Sequence, residues 1–95
     1  MFIYKFTHEG NTYIGSTKDM VMRLHSHNQH KKQARHNGTK FYKYCNEAEI
    51  QDIRPYVEVL EEIEDDYDKT ILRNLEQDYI YEYKPNLNMV KAMKR

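Results

Sequence analysis

The chain has 95 residues, 39% of them hydrophobic, with as many acids as bases, so its formal net charge at pH 7 is zero. A chain this short folds as one domain, residues 1–95, and buries only about 60 to 65% of its unfolded surface. No apolar run approaches the roughly 20 residues of a membrane span and the start lacks a secretory pattern, which leads to the expectation of a soluble intracellular protein.

The neutral total hides a segregation. Residues 1–45 carry eight Lys/Arg against two acids, a net of +6, and all five histidines; residues 46–83 carry three bases against thirteen acids, −10; residues 84–95 carry four bases and no acid, +4. A positive face on a neutral molecule suits a polyanion as partner. The acid-dense run from Glu58 to Asp68 reads as a solvated edge and loop. The single cysteine, Cys45, has no disulfide partner and fits a reducing compartment.

In chain order, Phe2, Tyr4 and Phe6 alternate with Ile3 and Lys5, and Tyr13-Ile14 follows the turn signal His8-Glu9-Gly10-Asn11, which predicts a β-hairpin. A two-residue loop puts Tyr4, Phe6 and Tyr13 on one face, with Gly15 opposite Tyr4 if the loop is Glu9-Gly10. Asp19 is placed to cap a helix from about Met20 to Lys32, whose Met20, Val21 and Leu24 are apolar and whose Arg23 and His27 stand one turn apart. Thr39 is placed to cap a short helix through Phe41, Tyr42, Tyr44 and Cys45. A third strand is predicted from Arg54 to Ile63, with Pro55 marking an edge or entry.

The last helix is predicted from about Asp68 to Tyr83, stopped by Lys84-Pro85. Its apolar stripe is Leu72, Leu75, Tyr79 and Tyr83, with Ile71 and Ile80 at the margins. Glu76 falls inside that stripe, where a bare carboxylate is costly. It therefore has a partner such as Arg23, binds a cation, or is exposed by a roll of the helix.

Phe2-Ile3-Tyr4, Tyr13-Ile14-Gly15-Ser16-Thr17, Arg23 with His27, Glu76, and Lys84-Pro85-Asn86-Leu87-Asn88 together resemble the GIY-YIG nuclease family in order and spacing, over nearly the whole chain. The resemblance implies an α+β fold, a small three-stranded antiparallel sheet flanked by helices in the order β-β-α-α-β-α. It also implies a divalent-metal-dependent endonuclease that hydrolyses a DNA phosphodiester. Tyr4, Tyr13, Arg23, His27, Glu76 and Asn88 match the catalytic positions, with Glu76 the ligand of one Mg²⁺ or Mn²⁺. Phe2 stands where the name-giving glycine would be, and Ser16 where some members place a lysine, with Lys18 nearby.

Such chemistry needs a water activated by a base, a counter-charge for the phosphate and a metal, and one carboxylate suits a one-metal site. Arg23 offers a fork of donors to a phosphate. Tyr4 is the expected base, helped by His27, with Tyr13 positioning water or phosphate, although the sequence does not separate the two phenols. Lys18, Lys31, Lys32, Arg35, Lys40 and Lys43, interleaved with aromatics up to Tyr44, are candidates for contact with nucleic acid.

Each feature also has a plain reading: strand tyrosines as core, Arg23 and His27 as a solvated helix face, the basic stretch as a solvated loop. His25, His27, His30, His36 and Cys45 offer only weak zinc combinations. The alternative function is a catalytically silent, nuclease-derived nucleic-acid-binding module, whose expected mark, loss of Glu76 or Arg23, is missing. The short chain leads to the expectation of an isolated catalytic module or a free-standing nuclease, resembling homing, phage and viral members more than repair enzymes.

Overall fold

The computed structural model describes residues 1–30, 39–64, 66 and 68–88. Strands β1 (Phe2–His8) and β2 (Asn11–Thr17) form the hairpin, followed by helices α1 (Met20–His30) and α2 (Lys40–Glu47), strand β3 (Val57–Glu62) and helix α3 (Lys69–Tyr83). The sheet is antiparallel in the order β2-β1-β3, so the first strand is the central one. This is the α+β arrangement that the resemblance implies.

The hairpin loop is Glu9-Gly10, and both residues have positive φ, 48° and 81°. A type I′ turn demands this, and it matches the twist of the flanking strands. The loop fixes the register Tyr4↔Gly15 and Phe6↔Tyr13. One face of the sheet thus presents Tyr4, Phe6 and Tyr13, and the other presents Ile3, Lys5 and Ile14.

Each face has its own core. Phe6 packs with Leu24 of α1, Phe41 and Cys45 of α2, and Ile50, Ile53 and Leu87. Ile3 and Ile14 pack on the opposite side with Ile80 of α3, joined by Leu60, Leu72, Leu75 and Tyr79. The sheet therefore lies between α1 and α2 on one side and α3 on the other.

Two expectations are adjusted. The third strand begins at Val57, because Arg54–Tyr56 form a short 3₁₀ turn. Pro55 explains this: its fixed φ suits the turn and it has no N–H for a ladder. Helix α3 is rotated from the expected stripe, so Ile80 is its most buried residue while Ile71 and Tyr83 are exposed. The rotation drives Ile80 between Ile3 and Ile14 and leaves the Tyr83 ring at the helix end, where the Lys5 ammonium lies 4.3 Å from its centre. Helix α1 is seen as far as His30, and the residues expected to extend it, Lys31 and Lys32, lie outside the described residues.

Each helix is capped by the residue before it, at Asp19 and Thr39 as expected and at Asp68, which was expected as the first helical residue. Asp19 accepts from the Met22 N–H, Thr39 from Tyr42 and Asp68 from Thr70. Lys84 takes the left-handed conformation that ends α3.

Candidate active site

Hairpin parity brings Tyr4 and Tyr13 side by side, with ring centres 6.3 Å apart. Gly15 allows it. A Cβ on Gly15 would stand 2.5 Å from the Tyr4 hydroxyl oxygen, 2.7 Å from its Cζ and 3.1 Å from Tyr13 Cε1. The second strand needs a glycine at that point because the phenol of the first occupies the space of a side chain.

Helix α1 brings Arg23 and His27 to the same phenol. The Tyr4 hydroxyl lies 2.8 Å from His27 Nε2, and Arg23 Nε–H donates to the Tyr4 oxygen at 3.5 Å. Tyr4 has no exposed surface and His27 is 2% exposed. The other imidazole nitrogen, Nδ1, lies 2.8 Å from the Tyr42 hydroxyl on α2. Tyr13 stacks on Phe41 at 4.3 Å with the rings nearly parallel, while His27 meets Phe41 edge-on. Tyr13, Arg23, His27, Thr39, Tyr42 and Asn88 are among the residues lining an open cleft of about 330 Å³.

Burial dominates the electrostatics. It pushes the Tyr4 phenol well above the usual tyrosine range, helped by the adjacent Tyr13 and opposed by Arg23. Tyr13 is raised for the same first reason, again against Arg23, and the Glu76 charge adds to the rise. Burial, with Arg23 and His30 adding to it, lowers the His27 imidazole from 6.5 to about 3. At neutral pH the two phenols and the imidazole are therefore all uncharged. No phenolate stands ready at neutral pH.

The residues singled out in the sequence are placed as follows. Tyr4, Tyr13, Arg23 and His27 form one cluster. Glu76 is half-buried on α3 outside the cleft lining, and its charge reaches Tyr13. Arg23 does not neutralise it, and among the described residues Glu76 has no hydrogen-bond or ion-pair partner. Asn88 uses both ends of its amide on one backbone unit: Oδ1 accepts from Ile14 N–H and Nδ2 donates to Ile14 C=O, each at 2.8 Å. It fixes the residue next to Tyr13.

Lys18, Lys40 and Lys43 are exposed, the first between β2 and α1 and the others on α2; Lys31, Lys32, Arg35 and His36 lie outside the described residues. Among the described residues no group of three or more His, Cys, Asp or Glu is arranged to hold a metal. Glu76 nevertheless suits a hard divalent ion, because it is an unpaired carboxylate oxygen donor and such ions keep most of their waters. Sequence reasoning missed Tyr42 as a site residue. It counts there only as an aromatic of the short helix, since no periodicity links α2 to His27 across the residues between them.

Among known proteins, the model of the GIY-YIG catalytic domain matches residues 1–88. No curated protein and no solved structure matches the chain. With the match spanning both half-motifs and every element of the fold, the chain belongs to the GIY-YIG family of nuclease catalytic domains.

Proposed function

We propose that the chain is a metal-dependent DNA endonuclease that hydrolyses a phosphodiester with a tyrosine-activated water and one divalent ion, Mg²⁺ or Mn²⁺. The observation that carries this reading is the Tyr4 phenol, held between the His27 imidazole and the Arg23 guanidinium beside an open cleft. Substrate phosphate entering the cleft competes for Arg23, whose long bond to Tyr4 is easily exchanged for a charge-assisted one. That exchange uncovers the Tyr4 oxygen.

A water then attacks phosphorus and gives its proton to the Tyr4 oxygen as the Tyr4 proton passes to His27 Nε2. One P–O ester bond breaks, and the departing oxygen takes a proton from solvent. Arg23 opposes the charge that develops on the phosphate. Glu76 would hold the divalent ion, which when bound supplies further counter-charge at the phosphate. Asn88 keeps β2, and with it Tyr13, in place against the cleft.

A second arrangement exchanges the phenols and is favoured by one fact: Tyr13 lines the cleft whereas Tyr4 has no exposed surface. Nicking of supercoiled plasmid with Mg²⁺, Mn²⁺ or EDTA tests the reading, with folding followed by circular dichroism. Metal-dependent nicking is expected, reduced about 100-fold or more by Tyr4→Phe and by Glu76→Ala in folded protein. A larger loss in Tyr13→Phe than in Tyr4→Phe makes Tyr13 the base. Binding of DNA without any nicking identifies the silent binding module instead.

A further inference from the structure

Tyr4, His27 and Tyr42 form one continuous hydrogen-bonded chain. Tyr4 already accepts from Arg23 Nε–H, and at 2.8 Å His27 Nε2 is placed to accept the Tyr4 hydroxyl proton. A neutral imidazole carries a single proton. If Nε2 accepts, Nδ1 carries the proton and donates to the Tyr42 oxygen 2.8 Å away. The Tyr42 hydroxyl proton is then turned away from His27.

Tyr42 gives this chain a solvent-facing end. Tyr4 has no exposed surface and His27 is almost wholly buried at the cleft wall, whereas Tyr42, which also lines the cleft, is partly exposed. The imidazole is also a poor place to leave a proton, since burial beside Arg23 disfavours its charged form. A proton arriving at Nε2 must therefore be matched by one leaving Nδ1.

We infer that Tyr42 is a positioning residue and the exit of a proton relay, Tyr4 to His27 to Tyr42 to solvent, that drains the proton taken from the attacking water. The inference rests on the endonuclease reading above. As the water proton reaches the Tyr4 oxygen, the Tyr4 proton moves to Nε2, the Nδ1 proton moves to the Tyr42 oxygen, and the Tyr42 proton leaves to solvent. One proton enters and one leaves, and no residue changes charge overall. Once the product has left, the chain resets by the reverse shift: Tyr42 takes a proton from solvent and passes its own to Nδ1, Nε2 returns its proton to the Tyr4 oxygen, and Tyr4 releases one to water in the emptied cleft.

Tyr42→Phe keeps the ring that packs against Phe41 and His27 and deletes only the relay oxygen. The expected result is a single-turnover cleavage rate lowered about 10- to 100-fold, DNA affinity in EDTA unchanged within about twofold, and partial rescue by added imidazole. In the wild type, the rate in mixtures of light and heavy water should bow downward as more than one proton moves in the transition state. The nitrogen shifts of His27 in isotope-labelled protein should show the Nδ1–H form, a readout independent of cleavage. A Tyr42→Phe enzyme as fast as wild type, a linear dependence on deuterium, or an Nε2–H imidazole overturns the relay while leaving the endonuclease reading intact. A wild-type protein that never cleaves overturns both.

Discussion

His27 is a group whose chemistry and stability contributions share one cause. Its folded-state pKa is about 3 against 6.5 for a free imidazole. Between those values the unfolded chain binds a proton that the folded chain refuses, so stability rises with pH and is lost as pH falls from about 6.5 toward 3. The slope from this one group reaches about 1.4 kcal/mol per pH unit. Urea midpoints measured from neutral pH down to about pH 4.5 should fall accordingly, and His27→Gln, uncharged throughout, should remove most of that slope. An unchanged slope in the variant would show that the imidazole is not shielded as described. Gly15 makes a related point about crowding. Gly15→Ala should displace a phenol pinned between His27 and Arg23, and so reduce cleavage beyond its effect on the urea midpoint.

At the scale of elements, the segment after α3 closes the open edge of β2. Asn86 accepts from Thr12 N–H, Leu87 N–H donates to Thr12 C=O, and Asn88 meets both polar groups of Ile14. An edge strand otherwise exposes a row of unpaired groups. Asn88→Ala should leave the Ile14 pair unsatisfied by protein and cost about 1 to 3 kcal/mol. Amide exchange at Ile14 should accelerate well before global unfolding, and an Ile14 amide protected as in wild type would refute the clamp.

How far the fold is legible follows the same division between local and distant causes. The hairpin, its register, the caps at Asp19 and Thr39 and the stop at Lys84-Pro85 are set by neighbouring residues, and all are readable. The roll of α3 was not, because it depends on how Ile80 fits between two strands distant in sequence. Likewise Tyr4, Tyr13, Arg23, His27 and Glu76 stood out through motif spacing. The Tyr42–His27 contact and the two hydrogen bonds of Asn88 to Ile14 exist only once α2 and the last described segment are docked. A lone carboxylate in an apolar stripe marked Glu76 as unusual, yet only the fold showed that Arg23 binds a phenol instead.

For the whole molecule, zero net charge conceals a polar arrangement with consequences for binding. Lys18 is exposed on the turn into α1, and Lys40 and Lys43 on α2, the helix whose Phe41 and Tyr42 line the cleft, while Glu58, Glu62, Glu64, Asp66 and Asp68 are exposed along β3 and the approach to α3. Under the endonuclease reading a DNA backbone is drawn to the first region and repelled by the second, so the field orients the cleft toward its substrate. Each phosphate neutralised by a lysine steepens the fall of log affinity with log salt by about 0.9. Lys40→Ala with Lys43→Ala should therefore weaken DNA binding most at low salt and flatten that dependence by about 1 to 2. Neutralising Glu62 and Glu64 to Gln should leave the slope unchanged, because these carboxylates release no counterions from DNA. Fluorescence anisotropy in EDTA across a salt series reads both, and equal slopes for wild type and the double lysine variant would place the nucleic-acid contact elsewhere.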